Sequence, residues 1–202
     1  MEHPTSPASA VRGPLVLAFG DSLTAGYGLR DADGFAARLE QRLQQTRPGA
    51  RVLNAGVSGD TTGMARARLP AVLSKLHEKP DLAIVQLGAN DLLRGVPLGR
   101  TRDNLDSIIT DLRRIGVPVL LASMEAPAFL GAFGRSCNAL YAELAGRHGN
   151  ASHPFLPKGI LGNPAMCLYD RVHPNGDGVR TIVEAFLPAV LAELPDCERD
   201  AA

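Results

Sequence analysis

The chain has 202 residues, of which 45% are hydrophobic and 21% charged, and its 21 basic and 21 acidic residues leave no formal net charge. The length predicts one domain with a substantial core, over residues 14–195. The charge balance argues against a nucleic acid or an anionic membrane as a general partner, because both bind basic surfaces.

The two ends are predicted to lie outside this domain, residues 1–13 as a disordered lead-in and residues 196–202 as a C-terminal tail. No apolar run is long enough to span a membrane. No signal core is visible, so the chain as it stands is expected to be cytoplasmic, or periplasmic or secreted if a signal peptide was removed. The three cysteines are widely spaced and predict neither a disulfide framework nor a zinc knuckle.

Short apolar runs alternate with segments of helical period along the chain. They predict, in order, a strand at 14–19, a helix at 33–45, a strand at 51–57, a helix at 61–76, a strand at 81–87, a helix at 101–115, a strand at 117–123, a helix at 135–148, a weak strand at 151–156 and a helix at 177–194. Asp33 is placed to cap the first helix. Pro70 is expected to bend or divide the second, and Pro188 to interrupt the last.

This alternation predicts an α/β fold in which parallel strands are joined by right-handed crossovers, with helices on both faces of the sheet. Ligands of such sheets bind beyond the carboxyl ends of the strands. Residues that carry chemistry are therefore expected in the segments that directly follow the apolar runs.

A serine follows the first predicted strand, within the glycine-bounded turn GDSLTAGYG at 20–28. Such a turn would present the hydroxyl of Ser22 and its own backbone N–H to a cleft. Serine and aspartate are also common turn residues, and the spacing alone favours a simple capping role for Asp21 and Ser22.

An acid and a histidine lie three residues apart in one loop before the last helix, as Asp170 and His173. A serine nucleophile needs a neutral imidazole beside it, and that imidazole needs an acceptor on its other nitrogen. The alternative is a loop histidine with a helix-capping acid. Of the five histidines only His173 combines an acid at i−3 with a loop at the expected end of the sheet. The other four are His3, His77, His148 and His153.

Two further segments are candidates for stabilising a negative oxygen. NAGVSGDTT at 54–62 follows the second strand, and a glycine there can offer a bare N–H, although a turn glycine before a helix cap at Asp60 or Thr61 fits equally. GAND at 88–91 follows the third strand, where Asn90 can donate its amide hydrogen or act as an N-cap. One donor of this kind contributes about 10²–10³ in rate.

Taken in this order, the blocks GDSLTAGYG, NAGVSGDTT, GAND and DRVHPNGDG resemble the SGNH (GDSL-type) hydrolases. The match is best to a bacterial subgroup of multifunctional esterases with arylesterase, thioesterase and lysophospholipase activities, and it covers residues 15–194. The resemblance implies a three-layer α/β/α sandwich around a five-stranded parallel sheet, the flavodoxin-like SGNH fold. It also implies that neither a metal nor an organic cofactor takes part.

The resemblance further assigns roles to individual residues. Ser22 is implied to be the nucleophile, His173 the base and Asp170 its partner. The oxyanion hole is implied to consist of the N–H groups of Ser22 and Gly59 and the side chain of Asn90, so that Gly59 rather than Gly56 is the matching glycine. The implied reaction is the hydrolysis of small acyl or aryl esters, and of thioesters, through an acyl-enzyme.

The chain departs from the subgroup at two places. Ala89 stands where the subgroup often has a second glycine, and the segment 124–131 keeps only a proline and a glycine. The substrate is expected to be a small-molecule ester, with lysophospholipids and acetylated carbohydrates as alternatives. The loop 158–168 should help to line its pocket, and the segment 124–131 should flank it. The candidate substrate contacts are Asp21, Tyr27, Leu29, Glu125, Phe129 and Leu130.

Three rival functions remain at this point. A flavodoxin-like module that binds a phosphate-bearing ligand would share the strand pattern, but no Gly-x-Gly-x-x-Gly follows the first strand and no phosphate loop is present. A catalytically silent relative acting as an interaction module conflicts with the intact serine, acid and histidine. A metal hydrolase is disfavoured because His148, His153 and Asp170 do not have a recognisable ligand spacing.

Overall fold

The computed structural model describes residues 12–126 and 128–195, so residues 1–11, most of the predicted lead-in, and the predicted tail at 196–202 lie outside the described residues. Five strands alternate with helices in this part of the chain. The strands are β1 Leu15–Gly20, β2 Arg51–Gly56, β3 Leu82–Gln86, β4 Val119–Ser123 and β5 Ala151–Pro154. The helices are α1 Ser22–Ala25, α2 Phe35–Leu43, α3 Thr62–Leu73, α4 Ala89–Leu93, α5 Leu98–Arg114, α6 Gly131–His148 and α7 Gly176–Glu193.

The five strands form one sheet in the order β2-β1-β3-β4-β5, and every neighbouring pair is parallel. All residues of β1 and β3 are buried, as expected for central strands that are covered on both faces. The chain runs outward from β1 to β2 and then returns to place β3 on the other side of β1. The strand order therefore reverses at β1 and β3, the place where α/β sheets bind ligands.

Helices cover both faces of the sheet and give the core two halves. Val16 and Ile84 face the half that contains the buried side chains of α2 and α7. Leu17 and Val85 face the opposite half, with side chains of α3, α5 and α6. Alternate residues of one strand thus serve opposite faces, as the pleat requires. The arrangement confirms the predicted three-layer α/β/α sandwich with a five-stranded parallel sheet.

The predicted cap of the first long helix is wrong. α2 begins at Phe35, and its N-cap is Gly34, which makes no side-chain capping bond. Asp33 instead lies in a short 3₁₀ turn, where its carboxylate pairs with Arg30 at 2.7 Å and Arg38 at 2.5 Å. Ion pairing with two arginines occupies the carboxylate that the sequence suggested as a cap.

The two prolines expected to break helices do not divide them. Pro70 lies inside α3 and Pro188 inside α7, and each helix is continuous through it. Both prolines are on the exposed side of their helices, while the preceding residues, Leu69 and Leu187, are buried. Each proline lacks the N–H that would bond the carbonyl four residues earlier, at Arg66 in α3 and Glu184 in α7, and both of those residues are exposed to water. Packing of the buried side holds the helix together.

Some helix boundaries also differ from those expected. α5 begins at Leu98 and α6 at Gly131, each three or four residues earlier than the predicted starts at 101 and 135. The short helices α1 and α4 were not predicted, because four or five residues show no period. Among the described helices, none is both long enough and apolar enough to cross a membrane.

Candidate active site

Ser22 begins α1, directly after the tight turn that follows β1. Asp21 is the N-cap of α1, and its carboxylate accepts the Leu23 N–H at 3.0 Å, so the first residue of the helix is Ser22. The turn requires glycine at position 20, since a Cβ there would lie 2.1 Å from the hydroxyl of Thr24. This packing holds the serine directly beyond the carboxyl end of a buried strand.

The loop between β5 and α7 brings His173 to this serine. The imidazole Nε2 lies 2.9 Å from Ser22 Oγ, across a sequence separation of 151 residues. Its Nδ1 lies 2.6 Å from Asp170 Oδ2. If Nδ1 carries the proton and donates it to the carboxylate, Nε2 is left to accept a hydrogen from the serine hydroxyl.

The Asp170 carboxylate is held by its own loop as well as by the imidazole. Its Oδ1 accepts the backbone N–H groups of Val172 at 2.9 Å and His173 at 3.0 Å. These N–H groups and the imidazole lower the pKa of Asp170 to about 2, with the His173 backbone N–H contributing most. Arg171 has φ +63°, which turns the chain tightly enough for one carboxylate to reach all three donors. Asp170 is therefore an anion at neutral pH.

Contacts with neighbouring loops fix the position of the imidazole. The backbone carbonyl of His173 accepts the Leu168 N–H at 2.7 Å. Asn175, two residues later, caps α7 through Asp177 and Gly178 and donates to the carbonyl of Ala165 at 3.0 Å. The ring of Tyr27 lies 4.4 Å from the imidazole between centroids. The imidazole is thus held between the start of α7, the preceding loop and the Ser22 turn.

Candidate oxyanion donors lie in the two segments next to Ser22. Gly59 sits at φ +86°, and among the described residues no acceptor is bonded to its N–H or to that of Ser22. Gly56 differs, because its N–H donates to Asn54 Oδ1 at 3.0 Å. Asn90 Nδ2 donates to the carbonyl of Asp60 at 2.9 Å and lies 3.5 Å from Asp21 Oδ2. The local geometry thus leaves Gly59, and not Gly56, with an N–H to offer.

Of the helix-capping roles considered for these two segments, one occurs and one does not. Thr61 does cap α3, accepting the Met64 N–H at 3.3 Å. Asn90 is not an N-cap, because Gly88 takes that position and Asn90 lies one residue inside α4. Ala89 is the first helical residue of α4, so an alanine is accommodated there without a glycine's freedom. The positive φ that the turn needs, +121°, occurs at Gly88 instead.

The predicted substrate contacts occupy different environments. Tyr27 is 52% exposed beside the imidazole, and Phe129 is 86% exposed in the segment after β4. Glu125 is exposed, Leu130 is partly exposed, and Leu29 packs partly buried against the core. A substrate contact by Asp21 does not fit its position, since the residue is only 1% exposed and its carboxylate faces Leu23 and Asn90.

Sequence reasoning missed a set of buried polar side chains beneath the site. Burial raises the pKa of Asp21 to about 6. Asp60 pairs with Arg68 at 2.5 Å. Asp91 accepts hydrogen bonds from the Thr62 N–H and hydroxyl at 2.8 Å and 2.5 Å. The available signal was that all three acids follow apolar strands, where a buried charge needs partners.

Two other histidines are engaged elsewhere. His148 lies 2.9 Å from Asp106, and His153 packs edge-on against Phe186 with its Nδ1 2.9 Å from a backbone carbonyl. Within the described ranges, no three His, Cys, Asp or Glu side chains are grouped as a metal site would need.

Comparison with known proteins gives matches over most of the chain. The model of the GDSL-like lipase/acylhydrolase family matches residues 18–181. Esterase TesA of Pseudomonas aeruginosa is 37% identical over 164 residues, 79% of either chain. Thioesterase 1/protease 1/lysophospholipase L1 of Escherichia coli K12 is 34% identical over 169 residues, 83% of this chain and 79% of the relative. The crystal structure of AlinE4, an SGNH-hydrolase family esterase, has a TM-score of 0.75 at 42% identity, covering 93% of this chain and 100% of that one.

Proposed function

The chain belongs to the GDSL-like lipase/acylhydrolase family and is a hydrolase of carboxylic esters, and we propose that it cleaves small acyl and aryl esters with Ser22 as nucleophile, His173 as base and Asp170 as its orienting partner. The observation that carries the proposal is the continuous line of contacts from Ser22 Oγ to His173 Nε2 and from Nδ1 to Asp170. A serine hydroxyl becomes a competent nucleophile when a neutral imidazole can take its proton.

The reaction proceeds in two acyl-transfer steps. In the first, Ser22 Oγ bonds to the ester carbonyl carbon while His173 Nε2 takes the hydroxyl proton. The tetrahedral oxyanion collapses, the bond to the leaving alcohol breaks, and His173 returns the proton to that oxygen. In the second step, His173 Nε2 takes a proton from water as the water oxygen bonds to the acyl carbon. The bond from that carbon to Ser22 Oγ then breaks, His173 returns the proton to Oγ, and the carboxylic acid leaves.

The charge that develops in these steps has a partner at each end. The oxyanion is received by the N–H groups of Ser22 and Gly59 and by the Asn90 amide, which we assign as the oxyanion hole. The imidazolium is stabilised by Asp170, whose lowered pKa keeps it ionised at neutral pH. The acid need not take the proton itself to act in this way.

The exposed side chains that follow β1 and β4 suggest the class of acyl group. Tyr27 and Phe129 present exposed rings, and Leu130 is partly exposed nearby in sequence. These side chains suit acyl or aryl groups without charge. Thioester and lysophospholipid cleavage is a second candidate, which the name of the E. coli relative favours. A panel of p-nitrophenyl esters of increasing acyl length, compared with acyl thioesters and lysophospholipids, ranks these substrates by kcat/KM.

The test of the nucleophile is Ser22→Ala, with Ser107→Ala as the matched control. Ser107 is partly exposed, and its hydroxyl donates to the carbonyl of Asp103 within its own helix α5. We expect Ser22→Ala to keep the wild-type Tm and lose about 10³-fold or more of kcat on p-nitrophenyl acetate, because no nucleophile remains. Ser107→Ala should retain full activity. Substantial turnover by folded Ser22→Ala would overturn the proposal.

A further inference from the structure

One arginine joins the segments that carry the proposed oxyanion donors. Arg68 lies on α3, and its Nε donates to Asp60 Oδ2 at 2.5 Å. Its Nη2 donates to the carbonyl of Gly20 at 3.0 Å. The guanidinium group also lies 4.4 Å from the centroid of the buried Phe19 ring. A single cation is thus bonded to the last residue of β1 and to the turn that follows β2.

Both residues that Arg68 bonds lie close in the chain to a proposed oxyanion donor. Gly20 precedes Ser22 by two residues, and Asp60 directly follows Gly59. The carbonyl of Asp60 accepts the hydrogen bond from Asn90 Nδ2 at 2.9 Å. Through these bonds Arg68 is linked to all three proposed donors.

The burial of the pair makes the link stiff. The Asp60 side chain is 3% exposed and the Arg68 side chain 21%. At such a site the ion pair is screened little by water, and its geometry is held by two bonds and an aromatic face rather than by charge alone. The planar guanidinium can serve two acceptors in fixed directions, which a lysine ammonium on a flexible stem cannot.

We propose that Arg68 is a positioning residue for the oxyanion hole, acting through Asp60 and Gly20; this inference rests on the function proposed above. Oxyanion donors stabilise charge only when they are held about 2.7–3.1 Å from the developing oxygen. Releasing Asp60 frees the carbonyl that orients Asn90 and the turn that presents Gly59. Arg68 therefore affects the stability of the tetrahedral intermediate without touching it.

The alternative is that Arg68 only stabilises the fold, and a transition-state mimic separates the two roles. Phenylboronic acid forms a tetrahedral adduct with a serine hydroxyl and places an oxygen where the oxyanion would lie. The variants are Arg68→Gln and Arg68→Lys, with Arg66→Gln as the matched control. Arg66 is exposed on the same helix, and its contact is a long one of 3.5 Å to Asn104.

We expect Arg68→Gln to lower kcat on p-nitrophenyl acetate by about 10- to 100-fold, with KM changed by less than about threefold. The inhibition constant of phenylboronic acid should rise by about the factor lost in kcat/KM. In both measures Arg68→Lys should fall between wild type and Arg68→Gln, because lysine keeps the charge but reaches one acceptor at a time. Arg66→Gln should stay within about twofold of wild type in both measures.

Either of two results in folded Arg68→Gln overturns the proposal. In the first, kcat and boronate inhibition are both unchanged, whatever happens to Tm. In the second, kcat falls but boronate inhibition is unchanged. If Arg68→Gln does not fold, Asp60→Asn replaces it, since the variant keeps the Asp60 carbonyl but loses the anionic partner, and the same paired loss of kcat and boronate binding is required. Failure of the proposed function has a different signature, which is retained activity in Ser22→Ala.

Discussion

At the scale of single residues, the site depends on how each titratable group is solvated. Asp170 is bonded by two backbone N–H groups and an imidazole, which lowers its pKa to about 2. Asp21, one residue before the serine, is buried, and burial raises its pKa to about 6. The pKa values of two aspartates close to the same serine are therefore shifted in opposite directions. Asp170 is exposed and bonded by several donors, whereas Asp21 is desolvated.

The Asp21 shift predicts how stability depends on pH. The folded state holds the proton up to about pH 6, whereas the unfolded chain releases it near 3.8. Between these values the native state binds more protons, so the free energy of unfolding falls as the pH rises, by about 3 kcal/mol at most. Asp21→Asn keeps an acceptor for the Leu23 N–H and carries no charge. We expect the Tm of Asp21→Asn minus the Tm of wild type to increase as the pH rises from 4 to 7.

Thermal unfolding of both proteins across that range is the measurement, and pH 4 is its internal control because the native carboxyl is still mostly protonated there. Asp60 and His173 are the charged or titratable groups that act on Asp21 from neighbouring segments, in opposite directions. A Tm difference that stays constant from pH 4 to pH 7 would show that burial of Asp21 carries no such cost.

At the scale of elements, the structure depends on how its loops join its helices. Asn175 accepts the N–H groups of Asp177 and Gly178, both at 3.0 Å, at the start of α7. Its amide nitrogen donates back to the loop at Ala165 O. One side chain thus ends the loop that carries His173 and begins the helix that covers one face of the sheet.

Removing this cap should weaken the protein measurably. We expect Asn175→Ala to lower the free energy of unfolding by about 1–2 kcal/mol, since two N–H groups of the first turn lose their acceptor. Asn175→Asp is the matched variant, because aspartate caps as well as asparagine but cannot donate to Ala165, and it should recover most of the loss. Urea denaturation measures both. A wild-type midpoint for Asn175→Ala would mean that water replaces the cap without cost.

Elements with a strong apolar signal could be predicted from the sequence, and their edges could not. The runs that became β1 and β3 are apolar at nearly every position, because both faces of the central strands are covered. Asp33 is a residue type that caps helices and lies near the start of α2, but its carboxylate forms ion pairs with Arg30 and Arg38 instead. Pro70 failed as a break because its side of α3 faces water.

At the scale of the whole molecule, the proposed triad needs residues from both ends of the chain to meet beyond the carboxyl ends of the strands. Strand order places them there, since β1 is central and the loop after the edge strand β5 returns to it. The alternation of strands and helices was sufficient to predict a site at the carboxyl ends of the strands. The pairing of Ser22 with His173 could be proposed because few histidines compete for the role.

What sequence could not provide is the support beneath the site. Spacing did not distinguish Gly56 from Gly59 as the proposed oxyanion donor, and the distinction rested on family resemblance. The structure supplies a local reason, the Gly56 N–H bonded to Asn54. The bonds from Arg68 to Asp60 and to Gly20 span 8 and 48 residues and follow no period that a sequence pattern would reveal.

The central claim is that Ser22 is activated by an imidazole that lies 151 residues further along the chain. The most direct measurement is mass spectrometry of the protein after reaction with a fluorophosphonate, which bonds covalently to an activated serine hydroxyl with loss of fluoride. The account predicts one adduct, mapped to Ser22 in wild type, and none in Ser22→Ala or in His173→Ala. An adduct at another serine, or undiminished labelling of Ser22 without His173, would contradict it.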